Sequence, residues 1–209
     1  MRLDHVSYVA SHDQISDVVN RIGSQIGTAF VDGGIHPKFG TRNFTAPLLN
    51  GQYIEIVCPL DHPATDATPF GQAVKKKAEE GGGWMAWVLA TEEIVKIEEK
   101  LGRQSIDGIR LKPDGSTLKW KQLGVSNMIE DSSIPFYVEW NSKFHPSGDG
   151  VAKAELIEIG MFNKSEKYQN FHNLVGFPEL QIQFSSESMN LFGIKDVTFK
   201  YNEKKIVLD

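Results

Sequence analysis

Two short runs hold the side chains best able to do chemistry. Leu3-Asp4-His5-Val6-Ser7-Tyr8-Val9-Ala10 alternates as a strand, with Val6, Tyr8 and Ala10 on one face and Leu3, His5, Ser7 and Val9 on the other. The second face sets an imidazole among small and aliphatic neighbours, where it needs a hydrogen-bond partner or a ligand. Tyr53-Ile54-Glu55-Ile56-Val57 places a carboxylate between two isoleucines. Burying that carboxylate unpaired is costly, so Glu55 must face water in a cleft or meet a cation or donor. Either way it belongs to a site. His5 stays open between a core histidine bonded to backbone and a group facing the same cavity as Glu55.

His36 lies in Gly33-Gly34-Ile35-His36-Pro37-Lys38-Phe39-Gly40, a turn-rich stretch. An ordinary histidine pKa of about 6.5 suits a proton shuttle or a substrate contact at a cavity mouth, and an exposed turn residue is the plainer alternative. Thr41 and Asn43 follow as groups that orient substrate oxygens or simply close the turn. Glu139 repeats the motif of Glu55, since Tyr137-Val138-Glu139 matches Tyr53-Ile54-Glu55 in kind, although Lys119 and Lys143 are available to pair with it. No nucleotide loop or serine elbow is present. Gly81-Gly82-Gly83 lacks a following Lys-Ser/Thr and precedes a strand, and Cys58 has no adjacent histidine to activate it.

The elements that must position these groups follow a pattern. Ser11 and Gln14 read as a capping box ahead of Ile15, Val18, Val19, Ile22 and Ile26 at helical spacing, with the helix ending near Gly27. Strands are expected at 28–32, after Gly40 and over 53–57, the last pair joined by an Asn50-Gly51 hairpin. The order β-α-β-β-β fills residues 1–60. Residues 61–83 read as a linker with one short helix over 70–80. A second β-α-β-β-β unit then runs over 84–145, its helix capped at Thr91 and its strands at 84–90, 107–112, 119–125 and 135–140. A third, degenerate unit is expected over 151–209, with strands at 155–162, 180–184, 189–192, 197–201 and 205–208 and a helix capped by Asn163 and Glu166. The helix starts and the Tyr-x-Glu triplets recur at nearly one period, which marks a duplication.

With its repeat, the sequence resembles the vicinal oxygen chelate superfamily, the glyoxalase and bleomycin-resistance fold, and within it the uncharacterised glyoxalase-like domain proteins. The resemblance rests on Leu3-Asp4-His5-Val6, on Gly33 through Asn43 and on Tyr53-Ile54-Glu55-Ile56, and covers roughly residues 1–145. It implies an α+β fold of repeated βαβββ modules forming a curled mixed sheet around a cavity. It also implies a divalent metal held from first and fourth strands, here by His5, Glu55 and Glu139. Aligning the helix caps puts Met85 where a four-ligand relative has His, Gln or Glu, so at most three of four ligands are present. Such an open set suits Zn, Mn, Ni or Fe.

Composition agrees with an ordinary globular protein: 209 residues, 40% apolar, 23% charged, formal net charge −5. The charge argues against nucleic acid, and Lys75-Lys76-Lys77 is followed by Glu79 and Glu80 as on a solvated helix face. One cysteine, no apolar N-terminal segment and no membrane-length run point to a cytoplasmic protein. The expected function is a metal-assisted isomerase, epimerase or lyase of a small oxygenated metabolite, with Glu55 or His36 moving the proton. The alternative is a metal-free protein that binds an aromatic or antibiotic-like molecule. A homodimer, with the third unit completing a partner's sheet, is also expected as an option.

Overall fold

The computed structural model describes residues 1–177, 181–185 and 191–209. Its centre is a closed ring of eight strands built by the first two units. The first unit contributes β1 (Arg2–Val9), helix α1 (Ile15–Ile26), β2 (Val31–His36), β3 (Thr41–Pro47) and β4 (Tyr53–Pro59). The second contributes β5 (Gly83–Ala90), α4 (Ile94–Leu101), β6 (Ile106–Leu111), β7 (Thr117–Leu123), α5 (Val125–Glu130) and β8 (Phe136–Trp140). Between them run α2 (Pro63–Ala67) and α3 (Pro69–Glu79), two helices where the sequence suggests a linker with one.

The strands close in the order β1-β4-β3-β2-β6-β7-β8-β5. Within each unit the first strand runs parallel to the last, β1 with β4 and β5 with β8. The two seams between units differ. β1 and β5 pair antiparallel over most of their length, whereas β2 and β6 meet only at Ile35 and Leu111.

Two hydrophobic clusters follow the alternation. Val6, Tyr8, Ile54, Ile56, Trp87, Leu89 and Tyr137 join the outer cluster, with Ile22 and Ile26 of α1 and Ile94 and Ile97 of α4. Val9, Val57, Val88, Trp120, Phe136 and Val138 form the inner one, into which α3 inserts Phe70 and Val74. A register shift between Leu3 and His5 interrupts this alternation. Leu3 therefore sits with the outer cluster rather than beside His5, and two adjacent residues, Asp4 and His5, are both buried. Gly33-Gly34 also departs from expectation. It lies inside β2 at a second register shift rather than in a turn.

The third unit has β9 (Glu155–Met161), α6 (Glu166–Val175), β10 (Ile182–Phe184), β11 (Ile194–Tyr201) and β12 (Lys204–Leu208). The element order is again β-α-β-β-β, but its sheet runs β10-β9-β11-β12, with the first strand inside rather than paired to the last. This sheet joins the outer cluster through Leu156, Val197 and Phe199, and the Trp84 indole donates to the Leu208 carbonyl at 2.8 Å. It thus packs on its own chain's barrel. The strands expected at 180–184 and 189–192 partly lie outside the described residues, and Leu191 and Phe192 are not in a strand.

Three caps move. The Ser11 hydroxyl bonds Asp13 and leaves α1 without a side-chain cap, α4 starts after Glu93 with Thr91 bonded to the Glu93 amide ahead of it, and α6 is capped by Ser165, not Asn163, through the Tyr168 amide at 2.9 Å.

Candidate active site inside the barrel

The interior holds a small cavity lined by His5, His36, Asn43, Tyr53 and Glu55 from the first unit and by Arg110, Gln122, Phe136, Val138 and Trp140 from the second, with Phe70 of α3. Its free volume is about 30 Å³, room for about two waters. Most of its polar groups come from β1 to β4, while β8 supplies only apolar and aromatic surface.

Glu55 anchors one side. Its two oxygens accept from the Ser7 hydroxyl and from Asn43 Nδ2, each at 2.8 Å. Burial works to raise its pKa, but the charge of His5 and His36 and those two donors prevail and lower it. Glu55 is therefore an anion at neutral pH.

His5 stands beside it, with Nε2 4.0 Å from Glu55 Oε2 and the ring stacked on Tyr53 at 4.4 Å. On its far side Nδ1 meets Asp4 Oδ2 at 3.0 Å. Asp4 is wholly buried, and burial works to raise its pKa. Hydrogen bonds to His145 and His5, with their charges, outweigh that and hold it well below the usual carboxylate range. Trp140 Nε1 at 3.2 Å and Arg2 Nη2 at 2.9 Å complete its surroundings. An ionised carboxylate only accepts, so His5 carries a proton on Nδ1 and turns Nε2 toward Glu55 and the cavity. The same reasoning gives His145 its proton on Nε2, leaving Nδ1 to accept from the Ser147 amide at 3.2 Å.

His36 is buried, not an exposed turn residue, and its Nδ1 bonds Thr41 Oγ1 at 2.9 Å. Burial, reinforced by the Arg110 charge against the opposing pull of Glu55, pushes its pKa down to about 4, so the ring is neutral at pH 7. With His36 uncharged, the anion on Glu55 relies on the donors of Asn43 and Ser7.

Facing these groups are polar atoms without partners. Arg110 is 2% exposed, yet among the described residues its Nε and Nη2 make no hydrogen bond. Its ion-pair partner, Asp149, stands 3.7 Å from Nη2 and is held by Lys112 at 2.9 Å. Gln122 gives its oxygen to the Trp120 indole at 3.0 Å, which leaves Nε2 unpartnered, and Asn43 Oδ1 is also free of partners. In an eight-membered ring of this order β6 lies across from β1 and β7 across from β4. Arg110 thus belongs to the strand opposite His5, and Gln122 to the strand opposite Glu55.

The structure brings His5, Glu55, His36 and Asn43 to one cavity. It does not bring Thr41, which supports His36 from behind, or Glu139. On β8 the inward positions are Phe136, Val138 and Trp140, so Glu139 faces out, where its Oε2 accepts from the Ile94 amide at 3.1 Å and caps α4. The triplet match that singled it out is out of phase by one residue. Met85 likewise does not line the cavity, and Val88 is the residue paired with His5 across the seam. Asp4, Arg110 and Gln122 escape the sequence reading. Strict alternation would turn Asp4 outward, and Gly108-Ile109-Arg110-Leu111 reads as a plain strand.

The metal implied by the resemblance fares accordingly. First- and fourth-strand positions deliver one imidazole nitrogen and one carboxylate whose two oxygens are already hydrogen-bonded, in a cavity that also holds a guanidinium. Among the described residues no group of three or more His, Cys, Asp or Glu is placed to hold an ion. This donor set does not fit the site of three ligands.

Comparison with known proteins fixes the family. A family model described as Glyoxalase-like domain matches residues 3–167. The chain belongs to the glyoxalase-like domain family, in the vicinal oxygen chelate superfamily. No curated protein matches it. Among solved structures, a hypothetical protein from Staphylococcus aureus aligns over 98% of this chain and 83% of its own, at TM-score 0.60 and 16% identity. Methylmalonyl-CoA epimerase from Mycobacterium tuberculosis aligns over 66% of this chain and 85% of its own, at TM-score 0.43 and 12% identity. A hypothetical protein from Bacillus halodurans aligns over 69% and 96%, at TM-score 0.43 and 16% identity. These likenesses concern the fold.

Proposed function

We propose that this glyoxalase-like protein is an acid–base enzyme that moves a proton on a carbon next to a carbonyl group in a small oxygenated metabolite. One observation carries the reading: an Asp4-tethered His5 and an ionised Glu55 share one edge of a cavity whose other side offers free N–H donors. Glu55 takes the proton from carbon, and His5 Nε2 beside it relays that proton. The electron pair of the C–H bond forms a carbon–carbon double bond while the carbonyl π pair moves onto oxygen, and an N–H donor of Gln122 or Arg110 stabilises the enolate oxygen. Both bases lie on one side, 4.0 Å apart. They suit removal and return of a proton on one face of the carbon, as in a tautomerising isomerase or a lyase, better than transfer between opposite faces. His36, neutral and held by Thr41, is left to orient the guest.

Deuterium wash-in followed by proton NMR tests this. Pyruvate and 2-oxobutyrate in heavy water should lose signal beside the carbonyl with the wild type, and Glu55→Gln should abolish the catalysed loss. Elemental analysis accompanies it. Stoichiometric transition metal lost in Glu55→Gln, or exchange insensitive to that variant, overturns the reading. The aromatic lining of Phe39, Phe70, Trp120, Phe136 and Trp140 favours one rival, a metal-free binding protein. That rival gives a Trp fluorescence change on ligand addition and no wash-in.

A further inference from the structure

We infer that the guest of this cavity is a carboxylate, bound side-on by the guanidinium of Arg110 with Gln122 Nε2 on a neighbouring oxygen. This rests on the proton-transfer reading of the same cavity and adds the substrate's charge to it.

Three features support the assignment. First, the two nitrogens of Arg110 that make no hydrogen bond among the described residues, Nε and Nη2, are the pair whose N–H bonds run parallel along one edge of the guanidinium. That edge matches the two oxygens of a carboxylate. Second, the charge is buried and incompletely matched. Asp149 stands 3.7 Å from Nη2, beyond hydrogen-bond reach, and its nearer cation is Lys112. Asp149 supplies charge without a hydrogen bond, so the two buried donors stay unmet until an acceptor comes within reach. Third, the architecture makes room for it. Gly33 lies beside these groups on β2, where a methyl group would stand 2.3 Å from Asn43 Oδ1 and 3.1 Å from Arg110 Nη1. Gly108, two residues before Arg110, has no side chain because the Trp120 indole occupies that space, 2.2 Å from where a Cβ would be. Trp120 in turn fixes Gln122 through its oxygen, so the amide can only donate into the cavity.

Since β6 and β7 lie across the ring from β1 and β4, a carboxylate on Arg110 directs the rest of the molecule toward His5 and Glu55. The guest is short. The free volume of about 30 Å³ admits only a few heavy atoms, and anything larger must shift Phe70 or the partly exposed Trp140.

The test is binding, independent of turnover. Trp120 and Trp140 line the cavity and report occupancy by fluorescence. Acetate and pyruvate are the probes, and acetamide and acetone their uncharged counterparts, all at constant ionic strength set with chloride. Saturable changes are expected with the two carboxylates only. Arg110→Met should weaken them about tenfold or more. If that variant misfolds, Arg110→Lys and Gln122→Glu serve instead, the first losing the paired edge and the second adding a negative charge. Glu55→Gln should bind carboxylates at least as well as the wild type. Equal responses to charged and neutral probes, or carboxylate binding indifferent to Arg110 and Gln122, overturns the inference. Carboxylate binding without wash-in leaves the anion site standing and removes the proton transfer, whereas wash-in of neutral ketones alone does the reverse.

Discussion

Asp4 shows how much a single residue sets here. Its carboxylate takes donors from His5, His145, Trp140 and Arg2 and so fixes which His5 nitrogen faces Glu55. Asp4→Asn offers a donor as readily as an acceptor to Nδ1 and scrambles that choice. The turnover rate should fall about tenfold or more, with KM changed far less, while Asp4→Glu recovers part of the rate. His36 supplies a separate test. Unfolded, it takes up a proton as pH falls through about 6.5; folded, it stays neutral until about 4. Its burial therefore costs no stability above the unfolded value and progressively more as pH drops between the two. Denaturant titrations should show a loss of about 2 kcal/mol from pH 7 to pH 5 that His36→Gln abolishes. Asp4 and Glu55, whose values are lowered, lose stability only at lower pH still. His5 and Glu55 were legible because polar groups in apolar strands need partners, whereas His36 and Asn43 stood out only as polar groups in a turn-rich stretch. Asp4 and Arg110 were not, one hidden by a bulge and the other by the ordinary look of an arginine in a strand.

Among the elements, the β-strand phase decides which carboxylate is chemical. Glu55 and Glu139 share a motif, but one points inward and the other caps α4. Glu139→Ala should cost about 1 kcal/mol of stability, as loss of a helix cap does, and leave carboxylate binding unchanged. Gly33→Ala is the converse. Its methyl group would strike Asn43 Oδ1 at 2.3 Å and pull the amide from Glu55, so thermal denaturation should show about 1–3 kcal/mol lost together with loss of wash-in. Apart from α2 and α5, short helices in stretches read as linker and as strand or loop, element order, hairpins and the Gly27 helix end could be read from periodicity and turn residues. The caps of α1 and α6 could not, because several Ser, Asn and Asp residues compete within a few positions and tertiary contacts, such as Ser165 with Asp131, choose among them.

On the scale of the whole molecule, the duplication was visible in the sequence while the closure of the barrel was not. Closure depends on a near approach that only glycine allows, since a methyl group on Gly34 would lie 1.9 Å from the Leu111 carbonyl. The seam there is a single residue pair, against seven at the β1–β5 seam. Hydrogen exchange should accordingly be faster across β2 and β6 than across β1 and β5, and equal protection would mean that the two seams are equally strong. The third unit's different strand order was beyond the sequence, because the same alternation serves either pairing.

The most direct test sets Glu55→Gln beside Glu139→Gln in one deuterium wash-in experiment with pyruvate. Loss of catalysed exchange in the first variant and wild-type exchange in the second is the expected result. Comparable loss in both would return Glu139 to the chemistry and contradict a site confined to the barrel interior.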